Sequence, residues 1–227
     1  MNLFLIIIYL VYLNLEKLIN VLITARGGSK RLPQKNIKVM CGKPLIYWTI
    51  EAAKSSSFIK DIFVSTDSPQ IAQIAKEYGA IVPRLRSSSL AEDNSSSFDT
   101  VIDFKEYFPN GEILLLQPTS PLRLSSHIDE LMKIVKTNFP KQCVAVRDIT
   151  KLVLFANLKL DVKKNVYIPN GSMYYSKIDF LEKEKTFFSS LAKLYIMDRF
   201  HSTDIDNLDD WNIAEACLKK LILDEKI

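Results

Sequence analysis

A chain of 227 residues that is 48% hydrophobic and 25% charged has enough apolar material for one full globular core, which excludes a disordered or low-complexity protein. Its 30 basic residues against 26 acidic ones leave a formal charge of +4, too even a balance to mark a nucleic-acid binder. Three cysteines at no shared close spacing, Cys41, Cys143 and Cys217, read as reduced thiols of a cytoplasmic protein, and neither His127 nor His201 neighbours a cysteine at zinc-ligand spacing.

The chain opens on an apolar run, Leu3 to Leu13, with no basic residue before it and no small-residue cleavage pattern after it. A membrane span needs about 20 residues, so residues 1–17 are read as an N-terminal extension of a single domain over 18–227, and membrane association is not expected.

From Leu18 onward, short β-branched runs alternate with helical stretches. That pattern predicts a three-layer α/β fold, doubly wound around a mostly parallel sheet. Strands are expected at Leu18–Ala25, Asp61–Ser65, Ala80–Pro83, Glu112–Gln117 and Gln142–Arg147. Between them, Ile71, Ile74, Ala75 and Tyr78 form one apolar helical stripe, and Ile128, Leu131, Met132 and Val135 another. Pro44 suits the first turn of a helix, while Ser126 with Asp129 and Asn207 with Asp210 have capping-box spacing. The serine-rich stretch Ser87 to Ser97 reads as a functional loop, and residues 149–175 as a small antiparallel hairpin or flap.

Open sheets of this kind place ligands beyond the carboxyl ends of their strands, so the segments following the strands carry the functional signal. After the first strand, residues 26–36 combine Gly27, Gly28 and Ser29 with the cations Arg26, Lys30, Arg31 and Lys35. Glycines let a backbone approach a ligand and turn its N–H groups toward it, and the cations supply charge, so the loop suits a triphosphate. It matches neither of the common glycine-rich nucleotide fingerprints, and standing alone it could equally be a solvated basic loop. After the fourth strand, two prolines stiffen a turn in which Gln117, Thr119, Ser120 and Arg123 offer hydrogen bonds suited to a polyhydroxylated, carboxylated sugar. Late in the chain Asp204 and Asp206, two residues apart in an extended segment, point to one face and suit Mg²⁺. Asn207, Asp209 and Asp210 are better read as the cap of the following helix.

These elements, in this order, resemble the acylneuraminate cytidylyltransferase family, the CMP-sialic or CMP-nonulosonic acid synthetases. The resemblance rests on ARGGSKRLPQKN at residues 25–36, VSTD at 64–67, LLQPTSPLR at 115–123, PNGSMYY at 169–175 and STDID at 202–206. It implies a fold of the nucleotide-diphospho-sugar transferase type and a Mg²⁺-dependent reaction of CTP with a nonulosonic acid, giving a CMP-sugar and pyrophosphate. Carried over by position, Arg26, Ser29, Lys30 and Lys35 match triphosphate contacts and Asn36 a position near the nucleotide. Arg86 and residues 95–97, including Ser95 and Ser97, match the cytosine and ribose pocket. Gln117, Thr119 and Ser120 match sugar contacts, Asp204 and Asp206 the metal ligands, and Phe187 with Phe188 an aromatic pair that helps form a sugar pocket across a homodimer interface. As ordinary residues, those phenylalanines would simply be core. The related family that activates an eight-carbon acid has a different, acidic segment in place of QPTSPLR, which favours a nine-carbon acid. The sequence departs from the family at residues 149–169, a shorter segment without arginine, where Lys163 and Lys164 are candidates to take over the basic role or else form a solvated hairpin tip. Two other readings stay open: a metal-dependent glycosyltransferase, and a homologue that binds nucleotide sugars without turnover.

Overall fold

The β-branched runs become strands: β1 (Ile19–Thr24), β4 (Ile59–Ser65), β5 (Glu112–Leu116), β6 (Gln142–Asp148), β7 (Tyr167–Lys177) and β8 (Lys193–Met197), with a two-strand hairpin of β2 (Val39–Met40) and β3 (Lys43–Pro44). The helices are α1 (Leu45–Lys54), α2 (Pro69–Glu77), α3 (Ser97–Asp103), α4 (Ser125–Asn138), α5 (Thr150–Phe155), α6 (Ile178–Glu184) and α7 (Leu208–Leu223). The computed structural model describes residues 18–92, 95–155 and 165–224. In it the main sheet runs β4-β1-β5-β7-β6-β8, parallel except for β7, which is antiparallel to both of its neighbours.

Alternation along the strands divides their side chains between two helical layers. Val21, Ile23, Leu114 and Leu116 pack against α1, α2 and α4, where the expected stripe Ile128, Leu131, Met132 and Val135 is buried. Leu22, Leu115, Val144 and Tyr174 face the other way, onto Val101 and Phe104 near α3 and onto Leu181 of α6. A third cluster lies outside the sheet, where Trp211, Ala214, Leu218 and Leu221 of α7 meet Leu32, Leu122 and Ile205. Those last three residues come one each from the glycine-rich loop, the turn after β5 and the acidic segment. A single helix stripe therefore anchors three distant stretches of chain, each through a fully removed apolar side chain worth about 1.5–3 kcal/mol.

Several expectations are corrected. Residues 80–83 make only a single parallel bridge, Ile81 to Phe63, because Pro83 has no N–H with which to continue a ladder. The stretch expected to be a flap instead supplies β7, a central strand buried from Asn170 to Ser176. Its polar residues Asn170, Ser172 and Ser176 break the apolar pattern that marks a buried strand. Pro44 takes the N-cap position of α1 rather than its first turn. Ser126 does not cap α4: the N-cap is Leu124, whose N–H donates to His127 Nδ1 at 3.1 Å, and Asp129 reaches sideways to the Ser56 hydroxyl at 2.6 Å. The second capping box forms as its spacing predicts, with Asn207 Oδ1 accepting from Asp209 and Asp210, and Asp210 returning to the Asn207 N–H. Lys163, Lys164 and residues 1–17 lie outside the described residues.

Candidate active site

A cleft of about 330 Å³ opens at the carboxyl ends of β1 and β5. Arg26, Ser29, Lys35 and Asn36 line one side, and Asp204 and Asp206 line the other, with Gln117, Pro118 and Thr119 contributing the turn after β5. Arg86, Ser95, Ser96, Ser97 and Thr100 complete the wall on the α3 side. The cationic loop and the acidic pair, some 170 residues apart, are in direct contact, since Lys35 Nζ donates to the Ile205 carbonyl at 2.5 Å. Arg31 also pairs with Asp206 at 3.3 Å, although both side chains are largely in solvent.

Each wall is fixed by local bonds. The Gly27 N–H donates to Asp67 at 2.8 Å, so the end of β4 holds the glycine-rich loop. Asn36 is buried and donates to the Arg26 carbonyl at 2.9 Å, folding the loop back on its own start. The acidic segment is held by Ile205 N–H donating to the Thr119 carbonyl at 2.8 Å, and by Asp206 N–H donating to Asp210 at 2.9 Å. Gly171, at φ +75°, lies directly behind Asp204, and a Cβ at that position would come 2.8 Å from Asp204 Oδ2. Asn170 secures the same corner, donating to the Ser202 hydroxyl at 3.0 Å.

The electrostatics follow from crowding. Asp204 is open to the cleft on one side and packed on the other, and this loss of water, with the nearby Asp206 carboxylate, raises its pKa despite the Thr119 hydrogen bond. Lys35 moves the other way, lowered chiefly by burial, while Asp206 and Asp204 offset part of that effect. Two carboxylates competing for one place, with oxygen donors facing the cleft, fit a hard divalent cation. Arg86 is buried and donates to Thr100 Oγ1 at 3.1 Å, and its Nε has no hydrogen-bond partner among the described residues.

Other expected site residues sit elsewhere. Gly27, Gly28 and Lys30 are not among the residues that line the cleft, and Lys30 is exposed. Ser120 is fully buried beneath the turn, its hydroxyl 3.5 Å from the Asn170 carbonyl. Phe187 is in the core against Tyr174, whereas Phe188 is 57% exposed and meets the same ring edge-on. Asp67, Asn170 and Gly171 were within quoted motifs without a role assigned to them, and only a tertiary view links them to the loops they hold. His127, Asp198 and His201 bring one donor atom each within 4.8 Å of the others. His127 Nδ1 accepts from the Leu124 N–H and His201 Nδ1 lies 2.6 Å from Asp198, so the group fastens the start of the acidic segment beside α4, and His201 Nε2 has no hydrogen-bond partner among the described residues.

Comparison with known proteins agrees with this geometry. The family model described as "Cytidylyltransferase" matches residues 20–221. CMP-N,N'-diacetyllegionaminic acid synthase of Legionella pneumophila is 39% identical over 219 residues, covering 87% of this chain and 94% of that protein. N-acylneuraminate cytidylyltransferase of Streptococcus agalactiae serotype III is 37% identical over 210 residues, of which the chain spans 51% of the relative's length. Among solved structures, a CMP:2-keto-3-deoxy-manno-octonic acid synthetase complexed with CTP superimposes with a TM-score of 0.72 at 15% identity, covering 88% of this chain and 98% of that one. That likeness confirms the fold class expected from the sequence. With the family model matched from β1 to α7, the chain belongs to the cytidylyltransferase family.

Proposed function

We propose that the protein joins CTP to a nonulosonic, sialic-type acid, forming a CMP-sugar and releasing pyrophosphate. The observation that carries this reading is the single cleft shared by the phosphate-type loop and the acidic pair. The similarity to a legionaminic acid synthase over nearly all of that relative's length supports the nine-carbon class of acid.

In this reading the anomeric hydroxyl of the sugar acid attacks the α-phosphorus of CTP in line, the bond to the β-phosphate oxygen breaks, and the protein's part is to position groups and offset charge. Arg26 and Lys35, with Lys30 at the mouth, offset the charge that grows on the departing pyrophosphate. Asp204 and Asp206 would hold Mg²⁺, which when bound polarises phosphoryl oxygens. Arg86 and the serines at 95–97 form the nucleoside side of the cleft, and Gln117 and Thr119 present amide and hydroxyl groups to the sugar.

We assign a homodimer to the sheet edge at β8. Leu194 and Ile196 are 43% and 53% exposed there, no further strand pairs with β8 among the described residues, and an apolar edge strand is a ready pairing surface. No helix among the described residues is long and apolar enough to cross a membrane.

The test is pyrophosphate release from each nucleoside triphosphate with a panel of nonulosonic acids, run with and without Mg²⁺. Release with CTP and at least one acid, lost in Asp204→Asn and Asp206→Asn variants of unchanged fold, is the expected result. Full activity in either variant removes the metal assignment. Cleavage of a CMP-sugar without pyrophosphate chemistry would favour a glycosyltransferase instead, and nucleotide binding without turnover on any acid would favour a binding protein.

A further inference from the structure

Behind the turn that forms the cleft floor lies a second cavity, of about 450 Å³, enclosed by α1, the β2–β3 turn, residues 121–125 and the end of α7. It lies apart from the cleft, and Arg123, expected among the sugar-turn groups, lines this second cavity instead. Two sources of positive potential line it, and among the described residues no carboxylate pairs with either.

The first is Arg123, which is 2% exposed. Its Nη1 donates to the Ser172 carbonyl at 2.8 Å and approaches the Gln117 carbonyl at 3.4 Å, but its Nε and Nη2 have no hydrogen-bond partner among the described residues. Burial alone lowers its pKa to about 9, with no neighbouring carboxylate acting against that shift. A buried guanidinium in this condition is expensive, because it has lost water and gained no counter-charge.

The second is the N-terminus of the 14-residue α4, whose first residue, Ser125, also lines the cavity. Its N-cap is Leu124, which has no side-chain acceptor, and its first turn contains no acid. Asp129 comes too late to help and is engaged with Ser56 and Ser57. The partial positive charge of the helix end thus faces the same space as the guanidinium. Lys43 adds a third cation at the rim, over the Tyr47 ring at 5.1 Å, while the one acid on the lining, Glu51, pairs outward with Lys54 at 3.5 Å.

We propose that this cavity is a second anion site, taking a small oxyanion, phosphate or carboxylate, between the Arg123 guanidinium and the start of α4. The proposal goes beyond the cytidylyltransferase reading and does not depend on it. Its consequence for the cleft runs through one side chain: the edge of Arg123 not used by the anion holds the carbonyls of Gln117 and Ser172, on the two segments that carry the sugar turn and the backing of Asp204. Occupancy therefore stiffens the cleft floor from behind.

The experiment compares the thermal midpoint of the full chain in sodium phosphate, sodium acetate and sodium chloride at matched ionic strength, at about 10 mM, where general salting-out effects are small. Wild type, Arg26→Ala and Ser125→Asp are measured side by side. The expected result is a midpoint several degrees higher in phosphate or acetate than in chloride, the better salt identifying the oxyanion. The rise persists in Arg26→Ala, which impairs the cleft, and disappears in Ser125→Asp, whose new carboxylate fills the helix end and raises the midpoint in chloride. Equal midpoints in all three salts overturn the proposal. So does a rise that survives in Ser125→Asp and is lost in Arg26→Ala, since that places the anion in the cleft. Lys43→Ala, at an exposed rim position, provides a second variant, with weaker dependence on the favoured anion expected and an unchanged dependence counting against the site.

Discussion

Gly171→Ala tests whether the backing of Asp204 is part of the site. The substitution adds one methyl group, but at 2.8 Å from Asp204 Oδ2 that group lies inside the 3.4 Å at which ordinary contact begins, so the carboxylate must retreat by about 0.6 Å or the strand must bend. The backbone at φ +75° adds a further cost of about 1–2 kcal/mol for any residue with a Cβ. A misplacement approaching 1 Å at a catalytic group can cost about 100-fold in rate. The expected outcome is a modestly lowered midpoint of unfolding together with a loss of about 10–100-fold in Mg²⁺-dependent pyrophosphate release and a raised Mg²⁺ requirement. Both quantities are read on the same preparation, by thermal denaturation and by a pyrophosphate assay over a magnesium series. If the midpoint drops while activity and magnesium dependence stay within about twofold of wild type, Gly171 serves only the strand, and the view of Asp204 as a closely seated group is wrong.

Other outcomes follow from the same geometry. Lys35→Ala removes the bond to the Ile205 carbonyl as well as a charge, so CTP affinity and turnover should both fall by about 10-fold or more, and unchanged values measured by calorimetry and initial rates would exclude the loop's role. His127 has its pKa lowered to about 4 by burial and by His201, and protonation would break its bond from the Leu124 N–H. Because the unfolded chain takes up that proton more readily, this contribution to stability is present above pH ~6.5 and is lost as pH falls toward 4. Partial exposure limits it to about 1–2 kcal/mol, and His127→Gln, which keeps an acceptor for Leu124, should flatten the stability profile across that window in urea titrations. Replacing Ile196 by lysine at the β8 edge should yield a monomer by light scattering, and a dimer of unchanged strength would move the interface elsewhere.

Much of this arrangement was legible in the sequence because it depends on local rules. Strand-helix alternation gave the layers, the periodicity of Ile128 to Val135 gave the buried face of α4, and Asn207 with Asp210 gave the start of α7. The loops that line the cleft stood out because the positions after β1 and β5 concentrate glycines, cations and hydroxyl or amide groups, although Ser120 and Arg123 of the second loop prove to be buried. What escaped was non-local. The strand β7 carries Asn170 and Ser172 in its buried run, where hydrogen bonds to Ser202 and Arg123 satisfy them, and no period along the chain reveals such partners. The lone bridge at Ile81 reflects one missing donor at Pro83, which outweighs a favourable run of apolar neighbours. Gly171 needed the position of Asp204, and Asp67 needed that of Gly27, before either had a reason.

Leu32, Leu122 and Ile205 all rest on the Trp211 face of the last long helix. The segments proposed to hold nucleotide, sugar and metal consequently share one apolar support on this helix. Slackening it, as Trp211→Ala would, should weaken all three together rather than one at a time, so ligands entering at separate ends of the groove help one another by bracing the same support. On heating, undocking of this helix would silence the molecule while the sheet behind it still stands.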